Sequence, residues 1–309
     1  MSDRKILILA GPTAVGKTEY SLELAKKLDG EIVSADSMQL YKFMDIGSAK
    51  PTKEEMARAV HHMVDEIDPR EEFSVFMYNE MAKKAIEDIF SRGKTPIISG
   101  GTGLYVNSLI YEMDFSAMPD NKEYRKQLED MAKTKGNDLL HAMLKEKDPK
   151  AAERIHPNNV KKVIRALEML EEGQERVREF SESFVKTKDY DYCLIGLCRD
   201  REELYDRINK RVDILFDMGL LEEIESLDKM GLTEEHISMK GIGYKEVFGY
   251  LRGEYDLDEA VYLVKRNTRH YAKRQMTWFR RYEDMHWVDL SLRSKEEAIK
   301  DILECWRGV

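Results

Sequence analysis

Four groups of residues in this chain have types and spacings suited to chemistry. The first is Gly11-Pro12-Thr13-Ala14-Val15-Gly16-Lys17-Thr18, which fits G-x-x-x-x-G-K-[ST] at every specified position. Glycines let a backbone wrap an anion with successive N–H groups pointing inward, and a following helix N-terminus adds its positive dipole. Lys17 supplies a point charge, and the Thr18 hydroxyl can reach a metal or a phosphate oxygen. The implied ligand is a di- or triphosphate, and ATP is the ordinary one for such a loop. The second group is Asp36 with Ser37-Met38-Gln39, directly after an apolar run. A carboxylate there is either a structural N-cap or a catalytic or metal-linked group. The third, Gly100-Gly101-Thr102-Gly103, is either a tight strand-to-helix turn or part of a ligand edge. The fourth is a file of cations from Lys265 to Arg281.

Each group needs an element to hold it. Lys5 to Ala10 is a short apolar run bounded by charge, which predicts a buried strand of a parallel sheet. Tyr20, Leu22, Leu24, Ala25 and Leu28 then recur at helical spacing before Gly30. Strand, glycine loop and helix in that order favour a phosphate cradle over a bare glycine turn. Glu31 to Ala35 predicts a second strand with Asp36 at its C-terminal end, and Lys94 to Ser99 predicts another, ending in the second glycine turn. In open α/β sheets that edge is where ligands lie. Between them the pattern predicts a loop from Tyr41 to Thr52, a helix from about Lys53, a strand from His62 to Ile67, and an amphipathic helix from Ser74 to Ser91. No apolar run ending in Asp stands where a Walker B carboxylate would, so the machinery for hydrolysing a nucleotide is incomplete.

From Ser116 to Asp189 the character changes. Met118-Pro119-Asp120 breaks the pattern, Asp148-Pro149 reads as a helix cap with proline at the first helical position, and Val160, Val163, Ile164, Leu167 and Leu170 form one apolar stripe. Lys161, Lys162 and Arg165 fall together on the exposed side of that stripe, where a solvated face is the plain reading. The sheet resumes at Tyr192 to Leu197. In the helix from Arg201, Arg207 and Arg211 lie one turn apart and repel unless a carboxylate or bound anion intervenes. A Glu203–Arg207 pair would leave Arg211 for a phosphate. Met239 to Lys245 is a basic, glycine-bearing loop. A last long helix runs from about Asp258 to Tyr282. Its Lys265, Arg266, Arg269, Lys273, Arg274, Arg280 and Arg281 stand with no acid among them, interleaved with His270, Tyr271, Trp278 and Phe279. In a chain of net charge −9 such a file points to a polyanion. A strand from His286 to Leu290 and a terminal helix close the chain.

The fold class is therefore α/β: a P-loop NTPase-like parallel sheet with flanking helices, and an all-helical insertion. The core spans residues 1–115 and 190–309 and the insertion 116–189, which suits 309 residues at about 150 per domain. No run of eighteen apolar residues offers a membrane span, and the N-terminus enters a core strand without a signal peptide. Cys193, Cys198 and Cys305 form no C-x-x-C, so free buried thiols in a reducing cytoplasm are expected.

GPTAVGKT, SADSMQLYKFMDIGSAKP from Ser34 to Pro51, and ISGGTGLY from Ile98 to Tyr105 resemble the tRNA dimethylallyltransferase (tRNA isopentenyltransferase) family. So do Ala152 to Asn158, the RxxLxxRIxxR helix from Arg201, KGIGYKE at Lys240 to Glu246, and AKRQMTWFR at Ala272 to Arg280. The resemblance covers nearly the whole chain in order, without the C-terminal zinc finger of some eukaryotic members, so the bacterial type is expected. It implies transfer of a five-carbon prenyl group from dimethylallyl diphosphate to N6 of the adenine just 3′ of the anticodon. The insertion would grip the anticodon stem-loop of the tRNA. The loop from Gly11 to Thr18 would hold the diphosphate leaving group, with Lys17, Thr18 carrying Mg²⁺, and Arg211 stabilising the charge that grows on the bridging oxygen. Asp36 would take the proton of the N6 amine, with the base flipped from its stack. Ser37, Met38, Gln39, Thr102 and Arg125 would line the tRNA side beside Asp36. A cytoplasmic monomer is expected. Two other readings compete: a small-molecule or nucleoside kinase, with the insertion as its lid, and a non-catalytic nucleotide-gated RNA-binding module.

Overall fold

The run Ile6 to Ala10 is fully buried, because it is the central strand of a six-stranded sheet. The structure is a computed structural model that describes residues 4–113, 121–174, 176–177 and 185–308. The strands are β1 (Lys5–Ala10), β2 (Gly30–Ser34), β3 (His61–His62), β4 (Thr95–Gly100), β5 (Asp191–Cys198) and β6 (His286–Asp289). They lie in the order β3-β2-β4-β1-β5-β6, and every pairing is parallel. β1 is flanked by β4, with Leu7 opposite Ile97, and by β5, with Leu7 opposite Cys193. All C-termini therefore share one edge, which carries Gly11, Asp36, Gly101 and Arg199. Gly100 is required there: a Cβ on it would come within 2.2 Å of the Ala35 carbonyl oxygen.

The helices on this sheet follow the sequence periodicities closely. α1 (Lys17–Leu28) buries Tyr20, Leu22, Leu24 and Ala25, and α2 (Lys53–Met56) is a single turn closed by a Thr52–Glu55 capping box. α3 (Val75–Ser91) is capped by Ser74, and α4 (Gly103–Ile110) is buried along most of its length. The strand expected from His62 to Ile67 shrinks to His61–His62, with Ile67 making a lone bridge to Tyr41. Met63 and Asp65 have φ of 63° and 58°, which takes the chain out of the extended conformation.

By its contacts the chain divides into two units, residues 4–110 with 187–308 and residues 111–186. The described part of the second unit is helical: α5 (Lys122–Lys135), α6 (Asn137–Lys147), α7 (Pro149–Arg154) and α8 (Val160–Glu171). It has its own core of Leu128, Leu140, Leu144, Val163 and Leu167. Asp148 caps α7 ahead of Pro149 and also accepts from the Val177 amide at 2.8 Å. Met118-Pro119-Asp120 lies outside the described residues. Lys161 and Lys162 are exposed, but Arg165 is half-buried, and desolvation lowers its pKa, so the expected surface triplet is a pair.

The first unit continues with α9 (Arg201–Asp217), α10 (Leu220–Lys229), α11 (Tyr244–Leu251), α12 (Leu257–Phe279) and α13 (Lys295–Arg307). Cys193 is buried, whereas Cys198 and Cys305 are half-buried, so burial of all three thiols does not hold. The C-terminal helix brings Cys305 Sγ to 3.4 Å from Cys193 Sγ.

Candidate active site

The glycine loop is shaped for an anion by backbone strain and by props behind it. Ala14 and Gly16 have φ of 62° and 117°, and Gly16 tolerates the second value because it lacks a Cβ. α3, α9, α12 and α13 are each capped by a side chain, from Ser74, Asp200, Asp256 and Ser294, but no side chain caps α1 at Gly16. Its first amides thus stand open at the sheet edge. Three distant residues fix the loop. Arg199 Nε donates to the Val15 carbonyl and Arg207 Nε to the Ala14 carbonyl, both at 2.9 Å, while Gln275 Oε1 accepts from the Thr13 amide at 2.9 Å.

Lys17 Nζ donates to the Gly11 and Pro12 carbonyls at 3.0 and 2.9 Å. Desolvation pulls its pKa down to about 8; Asp36 opposes the shift and Arg211 adds to it. Arg211 is half-buried, its pKa lowered first by desolvation and held up by Asp36 and Glu55. The Asp36 carboxylate therefore acts on both Lys17 and Arg211 across one space. The pairing expected between Glu203 and Arg207 does not form. Glu203 accepts from Arg199 Nη1 and from the Ser291 hydroxyl, both at 2.5 Å, because the chain after β6 brings Ser291 to this helix start.

Asp36 caps no helix. Its Oδ1 accepts from the Met38 amide at 2.9 Å, a local turn that fixes the carboxylate at the end of β2. Thr102 Oγ1 accepts from the Ser37 amide at 3.1 Å, joining the ends of β2 and β4. Gln39 is spanned between the Ser34 hydroxyl and the Ala49 carbonyl, at 2.9 and 3.1 Å, and Met38 packs on Gly241. Around Asp36 stand Tyr105 and Tyr271. Burial raises both phenols, Tyr271 to about 12, and Asp36 adds to each shift. Gln275 Nε2 donates to the Gly101 carbonyl at 2.9 Å, so one α12 side chain ties both glycine turns together. These groups line a cleft of 790 Å³, with Lys17, Thr18, Asp36, Arg207, Arg211 and Arg274 on its polar side and Ile214, Met218 and Ile242 on its apolar side. Arg125 belongs to the second unit, where its guanidinium grips the buried Glu168 carboxylate at 2.7 and 2.8 Å.

Several site residues escape sequence reasoning. Glu223 of α10 accepts from the Asp45, Ile46 and Gly47 amides at 2.8, 2.7 and 3.0 Å and from the Tyr244 hydroxyl at 2.9 Å. The buried Glu246 joins the Gly243 amide to Asn267 of α12. Nothing in the local pattern marks these acids apart from other helical glutamates. Gln275 is equally unmarked, since Asn267, Thr268 and Thr277 are neutral polar residues in the same basic stripe.

On α12 the cation file divides by face. Lys265 pairs with Asp213 at 2.5 Å and Arg269 donates to Asn209 at 2.6 Å, so the stripe, which contains no acid of its own, draws partners from α9. Lys273, Arg274, Arg280 and Arg281 are exposed, with no ion pair among the described residues. A second hollow of 540 Å³ lies on this outer face, lined by His270, Lys273, Arg274, Thr277, Trp278 and Arg281. The Arg274 and Arg281 guanidiniums sit 5.6 and 5.2 Å from the Tyr271 and Trp278 ring centres. Ala272, Gln275 and Phe279 are buried on the opposite face.

A phosphate loop and a turn-locked carboxylate at one edge of a parallel sheet, walled by a basic helix, define a phosphate-loop α/β enzyme. Residues 39–282 match the family model described as IPP transferase. The tRNA dimethylallyltransferase of Alkaliphilus oremlandii is 52% identical over 98% of this chain and 96% of its own length, and that of Clostridioides difficile 49% over 96% and 95%. Among solved structures, the full-length tRNA isopentenylpyrophosphate transferase of Bacillus halodurans superposes with a TM-score of 0.74 at 43% identity, covering 99% of this chain and 96% of that one. A eukaryotic dimethylallyltransferase acting on tRNA gives 0.78 at 30% identity, covering 93% and 74%. The chain belongs to the IPP transferase family. That membership favours a prenyltransferase over the kinase and the non-catalytic RNA-binding readings.

Proposed function

We propose that the protein transfers the dimethylallyl group of dimethylallyl diphosphate to N6 of the adenosine 3′ of the anticodon in tRNA. The observation that carries this is the joint occupancy of one cleft by Lys17, Arg211 and Asp36, with the Asp36 carboxylate holding up the charge of both cations. The loop amides, Lys17 and Arg211 hold the diphosphate, and Asp36 faces the amine. As N6 bonds to C1 of the dimethylallyl group, the C1–O bond breaks. The electron pair leaves on the diphosphate oxygen, where Lys17 and Arg211 neutralise it. The N6 proton passes to Asp36, whose turn hydrogen bond from Met38 keeps the carboxylate oriented. Ser37, Met38 and Gln39 shape the wall beside that carboxylate, with Thr102 behind it on the Ser37 amide, and the apolar side of the cleft suits the prenyl chain.

The Thr18 hydroxyl lines the cleft with no hydrogen bond among the described residues, and no cluster of three acidic, imidazole or thiol groups forms a cage among them. One hydroxyl together with substrate oxygens and water suits Mg²⁺, which retains its waters and binds phosphates. Bound through Thr18, it would supply Lewis-acid stabilisation to the diphosphate oxygens.

The tRNA anticodon stem-loop would meet Lys273, Arg274, Arg280 and Arg281 of α12. The helical insertion, with Lys161, Lys162 and Arg125, would add its grip on the anticodon arm. Among the described residues no helix is long and apolar enough to cross a membrane; a cytoplasmic monomer fits this role. The test is incubation with radioactive dimethylallyl diphosphate, Mg²⁺ and unmodified tRNA, beside a parallel reaction with labelled ATP. Label in tRNA at the N6-prenyl adenosine is expected. Phosphoryl transfer from ATP with no prenylated tRNA would overturn the proposal.

A further inference from the structure

Arg207 lines the cleft beside the phosphate loop, and the chemistry above gives it no contact with substrate. Its Nε is fixed at 2.9 Å on the Ala14 carbonyl, so the guanidinium is registered to the same backbone that presents the loop amides. Nη2 lies 4.0 Å from the point where a Cβ on Gly16 would sit, at the mouth of the loop. An arginine has five N–H donors, and only the Nε donor is used among the described residues. The carboxylate one turn earlier, Glu203, is held by Arg199 and Ser291 and reaches Arg207 through space only. One turn later stands Arg211, a like charge. The helix thus aims two guanidiniums into the cleft beside Lys17; Asp36 and Glu55 offset the Arg211 charge, while Arg207 has no ion pair among the described residues.

We propose that Arg207 is a second guanidinium ligand of the diphosphate, sharing with Arg211 and Lys17 the charge released as the C–O bond breaks. This rests on the reading of the loop as a diphosphate site. Arg207 approaches from the Ala14 side and Arg211 from the Asp36 side, so the two grip different oxygens. A planar fork anchored at Nε leaves its Nη pair for bidentate contact.

The test is calorimetric titration of Mg²⁺-diphosphate into the full chain, with four variants. Arg207→Gln is expected to weaken diphosphate by at least about tenfold, to raise KM for dimethylallyl diphosphate, and to leave KM for tRNA and its salt dependence unchanged. Arg207→Lys, which keeps the charge but not the fork, should recover part of the loss. Gln275→Met serves as the control for a mere prop. It removes the hydrogen bond to the Thr13 amide at 2.9 Å and takes no charge from the loop; Arg199 cannot serve, because its Nη2 lies 3.9 Å from the same Gly16 point. Equal loss of diphosphate affinity in the Gln275 and Arg207 variants would overturn the proposal. So would unchanged diphosphate affinity with a flattened salt dependence for tRNA, which would place Arg207 on the RNA backbone. If Lys17→Ala leaves diphosphate affinity untouched, the loop itself has been misread and the proposal falls with it.

Discussion

Lys17 offers the sharpest pH signature. With its pKa near 8 in the ligand-free protein, the ammonium loses its proton two to three pH units earlier than an exposed lysine does. A diphosphate favours the charged amine and restores the pKa to the ordinary range or above. Ligand binding above pH 8 must then take up a proton. At pH 9 only about a tenth of empty sites carry the charge, so affinity should fall roughly tenfold from pH 7 to pH 9, with about 0.9 proton taken up at pH 9 and about 0.1 at pH 7. Calorimetry in buffers of different ionisation enthalpy counts those protons. Diphosphate titrates too, so the quantity to read is the difference between wild type and Lys17→Arg, which stays charged. Asp36→Asn should move the inflection lower and Arg211→Gln higher, following the signs of their fields on Lys17. The sign for stability is the reverse of a salt-bridged lysine. The unfolded chain binds the proton more tightly between pH 8 and 10.5, so the ligand-free protein should gain up to about 3 kcal/mol over that window relative to Lys17→Met. Identical proton uptake in wild type and Lys17→Arg would refute the argument.

Other outcomes follow from the same geometry. Asp36→Asn, which keeps the turn to Met38, should lower kcat about 10²–10⁴-fold with diphosphate affinity nearly intact; a collapsed melting temperature would show a structural role instead. Removing Lys273 and Arg281 together, which line only the outer hollow, should reduce the slope of log affinity for tRNA against log salt by about 1.4–1.8, with KM for dimethylallyl diphosphate unchanged. An unchanged slope with lost stability would make that face a packing surface. Glu223→Ala strands three amides and the Tyr244 hydroxyl and should cost about 2–4 kcal/mol in urea unfolding; a change below about 0.5 kcal/mol would mean that water replaces the carboxylate without loss.

The loop from Gly11 to Thr18, Asp36 and Thr102 were legible as one site because strand C-termini of a parallel sheet must share an edge. That inference needs only local patterns. What failed depended on contacts between distant segments. Glu203 was assigned to Arg207 by helical spacing, but Ser291, 88 residues away, and Arg199 take it instead. The strand past His62 was lost to two left-handed residues that alternation of side chains does not encode. The acid that pairs with Lys265, Asp213, lies on another helix and so does not show in the composition of the stripe. Glu223 and Gln275 show the same limit, since backbone groups of remote loops are their partners and backbone leaves no mark in a sequence.

α12 works as a ruler as well as a wall. Tyr271 and Gln275 face the cleft while Lys273, Trp278 and Arg281 face the outer hollow, and a helix advances about 100° per residue. Deleting one residue between Thr268 and Tyr271 would turn everything beyond it by that angle. Met276 would then stand close to the position that Gln275 occupies between the Thr13 amide and the Gly101 carbonyl, and the outer face would present Gln275 and Phe279 to solvent. Substitutions along the helix can tune one face at a time, but its length cannot drift. The surface that meets the polyanion and the side chain that latches the phosphate loop are locked to a common phase, so lineages of this protein can vary the outer cations freely only while the residue count between the two glycine loops' anchor and the helix start stays fixed.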